Sequence, residues 1–385
     1  MIEVKALKPG WNVWRFDQMA TNVNVRIDNP SESGMEHYVG LEHLDADSLK
    51  IRRWGSPDDV EATKLMFKKG DVIFGRRRAY QRKLGVAEFD GICSAHAMVL
   101  RAKPDVVLSE LLPFFMQSDL FMNRAVEISV GSLSPTINWK TMAAQEFALP
   151  PKDEQERLLG GLTRFEECLE LAESLSDSAE KLRHSLMIDH FETSYTEYRK
   201  VSEIGKWHSG GTPSRGNAAF WGGPIPWVSP KDMKLAELDS AEETLTAEGV
   251  EAGSKLMPKD TIMIVVRGMI LAHTFPVART LVPAAFNQDM KALVVSDEYR
   301  PKYIQYWFEY AAPRYLRLVS ESSHGTKRLE SDKLFSLAVP KIDLDEQDAF
   351  ITEVDGVRAA VGKAKSRHAD AMTMKRYFLN QNLAS

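Results

Sequence analysis

A chain of 385 residues, 44% hydrophobic and with a net charge of -5, is long enough for two or three cored domains, and its charge excludes a protein coated all over in positive charge. It holds no run of about 18 apolar residues for a membrane span, and MIEVKALKPGW lacks a basic-then-apolar signal pattern, so a cytosolic protein is expected. Cys93 and Cys168 offer neither a disulfide framework nor zinc-ligand spacing and read as small buried apolar residues.

The first half opens with GWNVWRFDQMA, a short alternating strand leading into a helical turn, and residues 200–205 are its counterpart. Residues 21–70 mix short strand-like pieces, such as Tyr38-Val39-Gly40-Leu41, with Gly, Pro and Asp. That mixture predicts an irregular α+β unit around a sheet, not a repeating βαβ fold. Val72-Ile73-Phe74 and Ala97-Met98-Val99-Leu100 read as buried strands bracketing a basic loop. The second half repeats the plan: Asp260 opens an apolar run that ends at Arg267, 189 residues after Arg78, and PAAFNQDMKALVV stands opposite residues 91–101. Aromatic-rich stretches at 111–124 and 303–318 have helical spacing and read as core helices. A polar, Gly-containing loop follows each, at 131–136 and 322–328.

INWKTMAAQEFALPPKDEQ, starting at Ile137, then recurs as LESDKLFSLAVPKIDLDEQ from Leu329. Trp139 falls on Ser331 and Asp153 on Asp345, a constant offset of 192 residues. Asp153 is placed as an N-cap with Glu156 three residues on, after Pro150-Pro151, and Asp345 repeats the cap. In the second copy the proline lead becomes Lys341-Ile342-Asp343, which predicts a displaced helix start. Beyond the caps, Leu158, Leu162, Phe165, Leu169, Ala172, Ala179 and Leu186 form a heptad-like seam, matched by Phe350, Val354, Val357, Val361, Ala364, Ala371 and Phe378. Each seam needs an apolar partner, and the simplest is the other helix, packed antiparallel about a pseudo-twofold axis. Thirty-odd helical residues span roughly 50 Å. The expected boundaries are domains at 1–152 and 192–344, each followed by a spacer helix, at 153–191 and 345–385.

No phosphate loop, dinucleotide fingerprint, metalloprotease helix or nucleophile elbow is present, and the nine histidines lack metal-ligand spacing, so no catalytic or metal residue is assigned. Gly210-Gly211-Thr212-Pro213-Ser214-Arg215 lacks the Lys-Ser/Thr of a phosphate loop and reads as a Gly-rich turn. What remains favours nucleic acid. Arg76, Arg77, Arg78, Arg82 and Lys83, with Tyr80 and Gln81, combine forked phosphate or guanine donors with an amide able to read adenine. Ser132 and Ser134 in the following loop join them. The second half offers Thr212, Ser214, Arg215, Lys231, Arg267, Asn287, Gln288, Lys327 and Arg328. A plain solvated charge run, or a structural coiled coil that never touches DNA, is the competing reading of the same residues.

Over essentially its whole length the chain resembles the specificity subunits of type I restriction-modification systems. The resemblance is carried by HYVGLEHLDADSLKIRRWG, GDVIFGRRRAYQRKLGVAEFDGICSAHAMVLRA and TINWKTMAAQEFALPPKDEQ, then by SGGTPSRGNAAFWGGPIPWVSPKDM, FNQDMKALVV and GTKRLESDKLFSLAVP. It implies an α+β chain with two pseudo-twofold-related target-recognition domains joined by two long antiparallel coiled-coil helices. Each domain is expected to read one half of a bipartite double-stranded DNA target. The implied partners are two adenine-N6 methyltransferase subunits and restriction subunits, with S-adenosylmethionine, ATP and Mg bound on those chains and no catalysis on this one. A stand-alone DNA-modifying enzyme is the alternative.

Overall fold

Runs of two to eight residues form the strands, too short to stand alone, and pairing across the chain assembles them into small sheets. The computed structural model of the chain describes residues 7–321 and 325–383. Ser322, Ser323 and His324 of the second polar loop, and the first six residues of the signal-peptide reading, lie outside the described residues. Two units result: one takes the chain through Glu173 together with everything from Lys365 onward, and the other is Ser174–Ala364. Among the described residues no helix is long and apolar enough to cross a membrane.

In the first unit one antiparallel sheet has the order Ala20–Val23, Met98–Ala102, Val72–Phe74, Leu84–Val86. A second sheet is ordered Arg26–Ile27, Lys64–Phe67, Gly91–Ser94, Tyr38–Val39, with the last pair parallel. A cluster of rings fills the core between the first sheet and the helices, with Phe16 and Phe121 centroids 5.3 Å apart and Phe115 and Phe147 5.2 Å apart. Each such buried ring is worth about 2 kcal/mol in removed apolar surface. Asn12–Arg15 pairs antiparallel with Glu146–Leu149 and closes the unit just before the long helix.

The second unit has a five-stranded sheet ordered Gly205–Ser209, Met290–Val295, Ile262–Val265, Val277–Thr280, Glu237–Leu238. Thr244–Leu245, Trp221–Val228 and Ala285–Phe286 form a smaller sheet. Tyr198–Lys200 pairs with Ala338–Pro340 as the equivalent closure. The aromatic stretch here is one helix, Pro301–Leu316, whose Tyr303, Tyr306, Phe308 and Tyr315 are fully buried. The first unit departs from the single helix expected over 111–124. Ser118 breaks it into Leu111–Gln117 and Asp119–Glu127, its hydroxyl donating to the Phe115 carbonyl at 2.6 Å and accepting from the Phe121 N–H at 3.2 Å.

The long helices are Lys152–Phe191 and Leu344–Leu383. Both expected caps are corrected. Asp153 lies within the first turn of its helix, which starts directly after Pro151. In the second helix Asp343, not Asp345, caps, its carboxylate accepting from the Glu346 N–H at 2.7 Å. The altered proline lead does not displace the second start, because Leu344 keeps the register of Lys152. Within the first unit the two helices run antiparallel: Leu158 and Leu162 share a core with Leu379 and Leu383, and Phe165 meets Phe378 at 5.8 Å. Gly161 leaves room for the Phe378 ring, which would lie 3.0 Å from an added Cβ. Within the second unit His190 stacks on Phe350 at 3.9 Å, and Met187, Phe191 and Val354 share its core.

One glutamine fixes each helix to its unit. Gln155 is 1% exposed; its amide donates to the Val106 and Pro150 carbonyls, both at 3.0 Å, and its oxygen accepts from the Leu108 N–H at 2.9 Å. Gln347 is fully buried and repeats all three bonds, to the Glu298 and Ile342 carbonyls and from the Arg300 N–H.

Replacing Gln155 by Met is expected to lower the unfolding free energy of the first unit by about 3 kcal/mol, because three backbone groups lose their partner. Gln155→Glu is expected to do worse, since a carboxylate would face two carbonyls; urea denaturation of both variants checks the order. In the second unit, burial pushes the His190 imidazole down to about 4. It stays uncharged when folded while the unfolded chain takes up a proton below its ordinary 6.5, so stability should fall as pH drops from 6.5 toward 4. Urea midpoints at pH 7, 5.5 and 4.5 should show that fall, and His190→Phe should flatten it.

Candidate nucleic-acid interface

The basic loop of the first unit is the hairpin connection between Val72–Phe74 and Leu84–Val86, closed by the Gly75 N–H donating to the Lys83 carbonyl at 2.9 Å. Its front is tied to the polar loop that follows the aromatic helices. The Arg78 N–H donates to the Pro135 carbonyl at 2.7 Å and the Ile137 N–H to the Arg76 carbonyl at 3.0 Å. Ser134 accepts from Arg77 Nε at 2.6 Å and from Arg78 Nε at 3.2 Å. One hydroxyl thus aligns two guanidinium groups. Arg78 and Tyr80 are exposed, as are Ser132, Leu133 and Val130 on the adjoining loop. Gln81 is half-buried in the same turn. Burial first, then Arg77 and Arg76, lowers the His96 pKa below its ordinary value, which favours a neutral ring beside these arginines.

Arg82 and Lys83, predicted to face a ligand with the others, turn inward instead. Arg82 donates from Nε to Asp47 at 2.5 Å, from Nη1 to Asp119 at 3.0 Å and from Nη2 to the Gln117 carbonyl at 2.5 Å. Lys83 Nζ donates to the Leu41 carbonyl at 2.7 Å. Both brace the loop from behind because the hairpin twist carries them to the side facing the protein. Asp47, Arg78 and Arg82 all hold left-handed backbone, with φ of 56°, 60° and 53°, at a cost of about 1–2 kcal/mol each.

Beside Arg76, at the root of the loop, lies a cleft of about 560 Å³ that the sequence reading missed, lined by Asn22, Asn24, Arg26, Arg76, Asn138 and Lys140 among others. Arg76 donates from Nη2 to the Ala95 carbonyl at 3.0 Å, while its buried Nε has no protein partner. The signal was available: in TNVNVRI the residues Asn22, Asn24 and Arg26 alternate and so share one side of extended chain. The cleft offers amides and cations together, chemistry suited to phosphates and base edges.

In the second unit the hairpin between Ile262–Val265 and Val277–Thr280 presents exposed Arg267, bridged in β fashion to Arg328, with the Gly268 N–H donating to the Lys327 carbonyl at 3.0 Å. Lys327 pairs with Glu321 at 2.6 Å and Arg328 with Glu330 at 3.1 Å. These three predicted residues therefore share one edge. Thr212 donates to Gln288, which is exposed, whereas Asn287 is 6% exposed and its oxygen accepts from the Asp289 N–H at 3.1 Å. Asn287 is corrected to a backbone brace. Arg215 lies 4.1 Å over Trp221 and is paired with Glu243, and exposed Ser214 accepts the Trp221 indole N–H on its carbonyl at 3.2 Å. The hydrogen bond from Arg215, with Lys231 assisting at longer range, holds the Glu243 carboxyl below its usual range. Gly210 and Gly211 serve close backbone approach: a Cβ on Gly210 would meet the Asn287 carbonyl oxygen at 2.2 Å, and one on Gly211 the Gly253 carbonyl oxygen at 2.2 Å.

Among the described residues no cluster of His, Cys, Asp or Glu could hold a metal ion. Cys93 is buried, as expected, and its thiol is pushed up to about 12 by burial and then by Asp71, which makes it a poor nucleophile at neutral pH. Cys168 is exposed, contrary to expectation, because it lies off the apolar seam of its helix.

If Arg82 is a brace, Arg82→Met should lower the stability of the first unit by about 2 kcal/mol, as for a broken, mostly buried ion pair. Arg78→Met, at an exposed side chain, should change it by less than about 0.5 kcal/mol; thermal or urea unfolding separates the two.

Residues 58–181 match the family described as the type I restriction modification DNA specificity domain. The chain is 38% identical over 167 residues to the specificity subunit of the Escherichia coli type I restriction enzyme EcoR124I/EcoR124II, covering 43% of this chain and 41% of that one. It is 29% identical over 161 residues to the MjaIX specificity subunit of Methanocaldococcus jannaschii, covering 40% of this chain and 36% of the relative. The matched stretch thus spans well under half of these relatives. Two solved structures share the fold across nearly the whole chain. One, from work on assembly and conformational transition of the type I R-M system, has a TM-score of 0.64 at 18% identity, with 98% of each chain covered. The type I S subunit of M. genitalium has a TM-score of 0.57 at 14% identity, covering 97% of this chain and 96% of that one.

Proposed function

We propose, from the type I restriction-modification specificity family to which this chain belongs, that it is the non-catalytic subunit that selects the DNA sequence for such a complex. Each unit reads one half of a bipartite duplex target. The observation that carries this reading is a repeated frame around unrepeated loops. Gln155 and Gln347 make the same three bonds at the same offset, whereas loops 76–83 and 267–275, in matching hairpins, differ in nearly every side chain. A common frame with divergent reading loops fits two readers of different half-sites.

In this reading the exposed arginines contact phosphates and guanine edges, and the asparagines of the cleft supply amides that pair with adenine. The two 40-residue helices, about 60 Å of helix each, act as an antiparallel coiled-coil spacer that fixes the gap between half-sites and docks two adenine-N6 methyltransferase subunits. Restriction subunits complete the complex. S-adenosylmethionine, ATP and Mg belong to those partners, and this chain supplies position. Exchanging residues 16–145, which lie inside the first closing strand pair, for those of a relative should change one half of the methylated motif and leave the other half and the gap intact. A change in both halves would contradict two independent readers.

A further inference from the structure

The repeated frame is broken at one place in the first unit, and the break leads to the reading loop. Asp119 stands at the start of the helix Asp119–Glu127. On one side its carboxylate accepts from Arg82 Nη1 at 3.0 Å, and Arg82 ends the short turn Ala79–Gln81 of the basic loop. On the other side it accepts from Arg376 Nη2 at 2.8 Å and Asn380 Nδ2 at 2.6 Å, both near the C-terminal end of the second long helix. The Asp119 N–H also donates to the Asn380 oxygen at 2.9 Å, so the helix grips both ends of one residue. Lys375, the residue before Arg376 and 4% exposed, donates to Gln117 at 2.7 Å and pairs with Glu166, while the Gln117 backbone carbonyl accepts from Arg82. Burial alone would raise the Asp119 carboxyl, but Arg376 and then Arg82 outweigh it and hold the group below its usual range.

The Asp119 clasp does not recur in the second unit, where only the meeting of Gln117, Glu166 and Lys375 has a polar counterpart, in Glu309, Arg358 and Arg183. At the 192-residue offset Asp119, Arg82, Arg376 and Asn380 correspond to Ala311, Thr274, His184 and Ile188. There the hairpin is held by Phe275 stacked on Tyr315 at 4.7 Å. A charged clasp replaces an aromatic one, and the charged clasp alone includes the last turns of the C-terminal helix.

We propose that Asp119 is a positioning residue that ties the first reading loop to the end of the C-terminal helix, so that sequence choice by the first unit, and not by the second, depends on that helix being seated. The backbone supplies the physical basis of the dependence: Asp47, Arg78 and Arg82 are all left-handed, and Arg82, the residue the clasp grips, also pairs with Asp47. Released from Asp119, the turn loses its one rear tie to the C-terminal helix, leaving Arg82 on Asp47 and the Gln117 carbonyl, while Ser134 and Pro135 still hold its front. The inference rests on the proposed DNA-reading role for its functional half, whereas its structural half does not.

Hydrogen exchange on the full chain tests the structural half. Asp119→Ala and Arg376→Ala should each speed exchange of amides in 76–83 by about tenfold, with 267–275 and the core strand 98–102 unchanged, and Arg376→Lys should restore most of the protection. Unchanged exchange in 76–83, or equal loosening of the core strand, would overturn the clasp. The motif methylated in the presence of the partner methyltransferase tests the rest. Arg376→Ala should relax one half-site by about tenfold in preference and leave the other as in the unmodified chain. Relaxation of both halves equally would overturn the proposal. If the unmodified chain imposes no sequence preference, the DNA-reading role itself fails, and the exchange result then separates that failure from the clasp's.

Discussion

Two buried amides fix where the long helices begin relative to the sheets. The segment just before each long helix leaves a carbonyl to be paired, at Pro150 and Ile342, and the segments before Leu111 and Pro301 leave a carbonyl and an N–H, at Val106 and Leu108 and at Glu298 and Arg300. Gln155 and Gln347 serve both sides, each donating twice and accepting once in a site closed to water. An amide is the one uncharged side chain that can do this. With the helix start fixed, every later residue on the helix has its direction set, and the closing strand pairs stand beside each start.

Downstream of that anchor, polar residues at matched positions complete the packing with different charges. In the first unit Gln117, Glu166 and Lys375 meet, an amide with one acid and one base. In the second, Glu309 meets Arg183 at 3.6 Å and Arg358 at 3.1 Å, one acid with two bases. Each set joins the aromatic helix to both long helices, so each unit is completed by residues distant in sequence. The same frame therefore carries two distinct polar keys, and a shift of either helix by one turn would leave a buried charge unpaired, which is far costlier than losing an exposed pair.

Much of the frame was legible because it is periodic and repeated: the 192-residue offset, both long helices, the buried strands around each hairpin and the aromatic core helices all follow from pattern. Single residues decided the rest. Ser118 splits a helix by capping its own successor, and Asp343 takes the cap from Asp345, both through local hydrogen bonds that compete with helix propensity. In the candidate site, residue type located the basic loop but not which side each residue faces. Arg82, Lys83 and Asn287 turn inward to satisfy backbone and carboxylate groups contributed by segments far away in sequence. The cleft residues Asn22, Asn24 and Arg26 were overlooked because a short polar strand carries little hydrophobic signal.

Function in this account lies in the difference between two loops held by one frame, a division that a fold alone does not reveal. Its central claim is that the chain contributes two readers at a fixed separation. The direct measurement is adenine-methylation mapping of random-sequence duplex DNA exposed to the chain together with the adenine-N6 methyltransferase subunit proposed as its partner. The account predicts one motif made of two short specified halves separated by a constant unspecified gap. A single continuous motif, or methylation without sequence preference, would contradict it.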